Sequence, residues 1–195
     1  RLRAYQITPA ERARRAGQIP FAVWLTGLPR SGKSSIAYAL ERDLFGRGLH
    51  ALVLDGETLR GGLSSDLGFS AADRAEHARR AAEVVRLFLD QGLIVIAAFV
   101  SPTLEQRGRA KQIAGADRFL EVFCDAPLSV CESRDKDRLF ERARAGEIAD
   151  VTGVDQVYEV PASPDVRLDT AQVDVASNVA RVRAELERRG WVRPA

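Results

Sequence analysis

Gly27-Leu28-Pro29-Arg30-Ser31-Gly32-Lys33-Ser34 sets two glycines, a lysine and a hydroxyl at the spacing of a phosphate-binding loop, with Ser35 directly after. The chemistry asks for these residue types. Glycines let the backbone curl so that successive N–H groups face phosphate oxygens, a helix start adds its dipole, and lysine brings a mobile point charge. Ser34 then offers a hydroxyl to Mg2+. Lysine is otherwise scarce: among 29 basic residues, only Lys33, Lys111 and Lys136 are lysines.

A second group begins at Asp55-Gly56-Glu57-Thr58-Leu59-Arg60. The Asp55 carboxylate can orient Mg2+ or accept a proton from an acceptor hydroxyl, and Arg60 can hold an anionic substrate group. The plain alternative for Asp55 is a loop-capping aspartate. Polar groups recur in Asp66-Leu67-Gly68-Phe69-Ser70, Asp73-Arg74 and Phe99-Val100-Ser101-Pro102. Phe69 could be a core residue, and Ser101 a helix cap before Pro102.

The elements that must position these groups follow from periodicity. Phe21 to Thr26 reads as a strand and Ser31 to Phe45 as a helix closed by Gly46, which is the context a phosphate loop needs. Further strands are expected at Ala51 to Leu54, Leu93 to Val100, Phe119 to Cys124 and Val166 to Leu168. A long helix capped by Ser70 and Asp73 should run through Asp90 to a stop at Gly92. Helical stretches follow at Thr103 to Ile113, Pro127 to Gly146 and Ala171 to Arg189. Strands alternating with helices predict an α/β, mainly parallel, five-stranded sheet flanked by helices, with carboxylates at the strand ends where ligands bind. Thr8, Pro9 and Glu11 form a capping box for a short approach helix ending near Gly17.

The 195 residues, 46% of them hydrophobic, suit one compact domain with a substantial core. A net charge of +2 with interspersed signs gives no basic face for nucleic acid. No apolar run reaches membrane-spanning length and no secretory signal is present, so the expected location is the cytoplasm. Cys124 and Cys131 fit neither a disulfide framework nor a zinc site and read as semi-buried thiols. The absence of methionine and the start at Arg1 predict a piece of a longer chain, with residues 1–19 a linker helix from a preceding domain and 20–195 the P-loop domain.

Taken with Ala143-Arg144-Ala145-Gly146-Glu147-Ile148 and Thr152-Gly153, these motifs resemble the adenylyl-sulfate kinase (APS kinase) family in order and spacing over roughly residues 20 to 170. The resemblance implies a P-loop kinase fold and transfer of the ATP γ-phosphoryl group to the ribose 3′-hydroxyl of adenosine 5′-phosphosulfate (APS). The products would be 3′-phosphoadenosine 5′-phosphosulfate (PAPS) and ADP. It implies an arginine-rich lid at 134–153, contributing Arg142 and Val151 to the substrate site. Residues 27–35 would bind ATP. Lys33 would stabilise the transferred phosphoryl group, and Ser34 and Asp55 would hold Mg2+. Asp55 would also orient or deprotonate the acceptor. Arg60 and Arg74 would grip the phosphosulfate, Phe69 would stack on its adenine, and His77, Val100 and Ser101 would line the site. Ser101 would also belong to the catalytic set. A fused ATP sulfurylase and a homo-oligomer are further expectations from the family.

Departures cluster on the acceptor side. Glu57 and Thr58 replace an aspartate and an asparagine, His77 an asparagine, Thr103-Leu104 a Tyr-Arg pair, and Val151 a lid phenylalanine. His77 could instead be an ordinary exposed imidazole. Two other readings therefore stand beside the kinase: a non-catalytic PAPS- or APS-binding regulatory domain of a sulfurylase, and a P-loop kinase for another small acceptor. The intact Gly32-Lys33-Ser34 favours catalysis, since a pure sensor has less need of γ-phosphate and magnesium groups.

Overall fold

The computed structural model describes residues 6–194. Five parallel strands form one sheet in the order β2-β3-β1-β4-β5: β1 Ala22–Thr26, β2 Ala51–Asp55, β3 Ile94–Ala98, β4 Phe119–Asp125 and β5 Val166–Asp169. The central strand β1 is buried on both faces, which is why its sequence is apolar without alternation. Val23 and Leu25 enter one core with Ile36, Leu40, Leu44, Val179, Val182 and Leu186 of helices α2 (Lys33–Gly46) and α8 (Val175–Arg188). Ala22 and Trp24 enter the other, with Ala81, Val85, Leu89 and Ala110 of α4 (Ala71–Leu89) and α5 (Leu104–Ala114). Trp24 stacks there on Phe99 and Phe119, with ring centroids at 5.0 and 5.7 Å.

A third, smaller core of Ala126, Cys131, Phe140 and Val151 lies under the lid segment and is built on α6 (Leu128–Ser133) and α7 (Leu139–Arg144). The helix expected across 127–146 is thus two helices. α6 stops at Ser133, Arg138 directly before α7 adopts φ +58°, which no regular helix contains, and the Asp135 carboxylate accepts from Phe140 N at 2.9 Å to start the next helix. Both cysteines are fully buried, deeper than their spacing suggested.

Other boundaries move for local reasons. α2 begins at Lys33, because Gly32 before it sits at φ +96°. α8 begins at Val175, because Asp169 Oδ1 accepts from both Ala171 N and Gln172 N and holds a turn until Asp174 caps the helix. A short helix that periodicity had not indicated, α3 (Gly56–Arg60), is started by Asp55, whose Oδ1 accepts from Glu57 N at 2.9 Å. Thr103, not Ser101, caps α5.

The approach helix α1 (Pro9–Ala16) forms with its Thr8–Glu11 capping box complete. Residues 1–5 of the expected linker lie outside the described part. Gln18 joins the approach segment to the sheet, donating to His50 O and Gly92 O at 3.0 and 2.9 Å. Gly92 is required at φ +83°, since a Cβ there would stand 3.1 Å from Arg12 O.

Candidate active site

The phosphate loop leaves the end of β1 and turns into α2. Gly27 permits the exit: a side chain there would fall 2.6 Å from Cys124 O and 2.6 Å from Ser31 Oγ. Lys33 folds back over the loop, donating to Leu28 O at 2.7 Å, Gly27 O at 3.1 Å and Ser31 Oγ at 3.4 Å. Burial of its ammonium lowers its pKa, opposed by neighbouring anionic groups. Ser34 Oγ donates to Asp55 Oδ2 at 2.6 Å, so the helix start and the end of β2 meet at one point. The loop-capping reading of Asp55 holds, since its other oxygen caps α3.

Around this point lies a cavity of about 840 Å3. Pro29, Arg30, Gly32, Lys33, Ser34 and Ser35 line it from the phosphate loop, with Arg134, Thr170, Val173 and Asn178. Arg134 donates to Thr170 O at 2.7 Å and stands over Gly32. A second group of lining residues comes from α3, α4, the end of β3 and the lid: Arg60, Phe69, Arg74, His77, Phe99, Val100, Ser101, Asp150 and Val151. Phe69 is not core; it is 53% exposed, with the Arg60 guanidinium 4.3 Å and that of Arg74 5.4 Å from its ring centre. Arg74 also donates to Phe69 O at 3.0 Å and to Asp150 O, which ties the lid to the loop before α4.

His77 is buried rather than exposed, its ring edge-on to Phe99 at 5.4 Å. Burial, helped by Arg60, Arg74 and Arg80, pushes its pKa down to about 4, so the imidazole is neutral at pH 7. Val151 lines the cavity but packs mainly into the lid core beside Phe140 and Cys131.

Four expected site residues stand elsewhere. Gly27, Leu28 and Ser31 support the loop from behind: Gly27 against Cys124, Leu28 in the lid core, and Ser31 buried under Lys33. Arg142 faces away from the cavity, half exposed and paired with Glu147 at 3.3 Å, because α7 turns its apolar Phe140 side inward. Arg134 lines the cavity instead. It was legible only as the first residue of the lid range, and Thr170 and Asn178 carried no motif. Ser101 lines the cavity, with its hydroxyl engaged with Trp24 Nε1 and Thr26 Oγ1, both at 3.1 Å.

A parallel sheet in this strand order, with a phosphate loop after the central strand and an acidic group at the neighbouring strand end, defines a P-loop kinase. The family model for adenylylsulphate kinase matches residues 19–169, and the chain belongs to that family. An adenylyl-sulfate kinase of Marinobacter nauticus is 49% identical, covering 97% of this chain and 95% of its own. One of Geotalea daltonii is 46% identical, covering 95% and 92%. A solved Mycobacterium tuberculosis APS kinase in complex with AMPPNP and APS is 46% identical at TM-score 0.83, covering 87% of this chain and 99% of that one. A hexameric APS kinase from Thiobacillus denitrificans is 28% identical at TM-score 0.69, and this chain matches 32% of that longer one.

Proposed function

We propose that this chain transfers the γ-phosphoryl group of ATP to the ribose 3′-hydroxyl of APS, giving PAPS and ADP. The observation that carries the reading is the Ser34–Asp55 contact, which joins the phosphate-loop side of the cavity to the Arg60–Phe69–Arg74 side. Phosphoryl transfer needs the two substrates brought into line, and little covalent chemistry from the protein. Lys33 exchanges its loop carbonyls for phosphate oxygens and stabilises their charge in transit. Asp55 orients the acceptor hydroxyl and takes its proton as the new P–O bond forms and the bond to ADP breaks. Arg60 and Arg74 hold the phosphosulfate, and Phe69 offers a stacking face once Arg60 turns to the anion.

A hydroxyl and a carboxylate in contact at the start of α2 are hard oxygen donors and fit Mg2+. Ser34 and Asp55 would hold the ion, which supplies charge neutralisation on the phosphates when bound. Lid residues would exclude water from the reaction.

The expected fusion to an ATP sulfurylase gains no support, since the Marinobacter and Geotalea relatives match along 95% and 92% of their own lengths. A homo-oligomer remains part of the proposal, supported by the hexameric relative. So does a cytoplasmic location; among the described residues, no helix is long and apolar enough to cross a membrane. A coupled ADP-release assay offering APS, adenosine monophosphate, shikimate and gluconate tests the activity. Release that depends on APS supports it, and release with another acceptor alone, or with none, overturns it.

A further inference from the structure

Beside the cavity a chain of buried polar groups runs through three parts of the fold. Trp24 Nε1 donates to Ser101 Oγ at 3.1 Å, the Ser101 hydroxyl donates to Thr26 Oγ1 at 3.1 Å, and the Thr26 hydroxyl donates to Val100 O at 2.7 Å. Thr26 has then spent its only proton. Its 2.9 Å contact with Tyr158 therefore needs the phenol as donor. Burial supports that direction by raising the Tyr158 pKa to about 12.

Arg107, almost fully buried, reaches the same place from α5. It donates to Ser101 O at 2.8 Å and to Glu159 O at 2.5 Å, pairs with Glu121 at 2.9 Å, and lies over the Tyr158 ring. Glu159 N donates to Pro102 O at 2.8 Å, closing the join. Ser101 sits at φ +36°, which a non-glycine residue adopts rarely and keeps only when its surroundings hold it.

We propose that Tyr158 and Arg107 are positioning residues for the acceptor: they pin the cavity wall Phe99–Pro102 and fix the point at which the lid returns to the sheet. Neither touches the cavity. The proposal rests on reading the site as an APS kinase. Its effect should fall on the acceptor, because Phe99, Val100, Ser101 and Val151 line that side. The phosphate loop begins next to Thr26 but has holds that do not pass through Tyr158: the pairing of β1 with both β3 and β4, and the Lys33 bonds to Gly27 O and Leu28 O.

Two measurements test it. Hydrogen exchange on the nucleotide-free protein should quicken in Tyr158→Phe at residues 99–101 and 154–160 and stay unchanged in α2. Unchanged exchange at both segments overturns the pin whatever the substrate is. In kinetics, Tyr158→Phe should raise the KM for APS roughly fivefold to tenfold with the KM for ATP within about twofold. Thr26→Val should reproduce that rise, Thr26→Ser should not, and the double variant Tyr158→Phe/Thr26→Val should be no worse than either single one. An equal rise in both KM values, an additive double variant, or unchanged kinetics in folded Tyr158→Phe overturns the assignment. Failure of the wild type to phosphorylate APS would defeat the functional reading and leave the exchange result to judge the pin.

Discussion

The Ser34 hydroxyl donates to Asp55 Oδ2 across 2.6 Å, although 21 positions of sequence separate the two residues. With Asp55 Oδ1 occupied by Glu57 N, both carboxylate oxygens are held and the side chain has little freedom. A group fixed in this way is suited to chemistry that depends on position.

Lys33→Ala and Asp55→Asn should each reduce phosphoryl transfer by at least roughly a hundredfold to a thousandfold while far-ultraviolet circular dichroism stays native. Near-normal turnover in either folded variant would remove that residue from the centre.

The two lid arginines should separate in kinetics. Arg134, which stands over the phosphate loop, should raise the KM for ATP about tenfold when changed to alanine. Arg142→Ala should stay within about twofold of wild type, because that side chain points to solvent and Glu147. The reverse ranking would mean that the lid docks differently during turnover.

Phe69 is exposed and contributes little burial, so Phe69→Ala should change stability by less than about 1 kcal/mol. Loss of a stacking face should nonetheless raise the KM for APS roughly fivefold to 150-fold. An unchanged KM would show that the adenine rests elsewhere.

His77 should make stability fall in mild acid. Its folded pKa is about 4 against an ordinary 6.5, so between these values the unfolded chain binds the extra proton. The native state is thus at full strength above pH 6.5 and loses up to roughly 3 kcal/mol as pH falls towards 4. Thermal melts of His77→Asn at pH 7 and pH 5 should show a smaller difference than wild type. Equal differences would disprove the burial argument.

Strong local signals carried most of the fold. The apolar β1, the Gly27–Ser34 spacing and the Thr8–Glu11 box are all settled by neighbours in sequence, and each forms as expected. The lid was not legible in the same way, since its break depends on one left-handed residue, Arg138, and on a long turn closed by Asp135. Arg142 misled because a surface arginine at helical spacing looks the same whichever way its helix rolls. His77 left two readings open, a site residue or an exposed imidazole, because its burial comes from Phe99, 22 residues onward in the chain.

The lid closes over a small hydrophobic core drawn from residues 126–154 together with Leu28 and Ala171. The two sheet cores contribute none of its buried side chains. That separation makes the lid an inheritable module. Substitutions in it can retune acceptor preference over evolutionary time while the two sheet cores keep their packing, with Leu28 the point at which its core reaches the phosphate loop. The same boundary gives protein engineers a natural cut: a lid exchanged with a relative's must still match Leu28 and Ala171 in its core, Arg30, Arg74 and Thr170 at its polar contacts, and the Tyr158–Glu159 anchor.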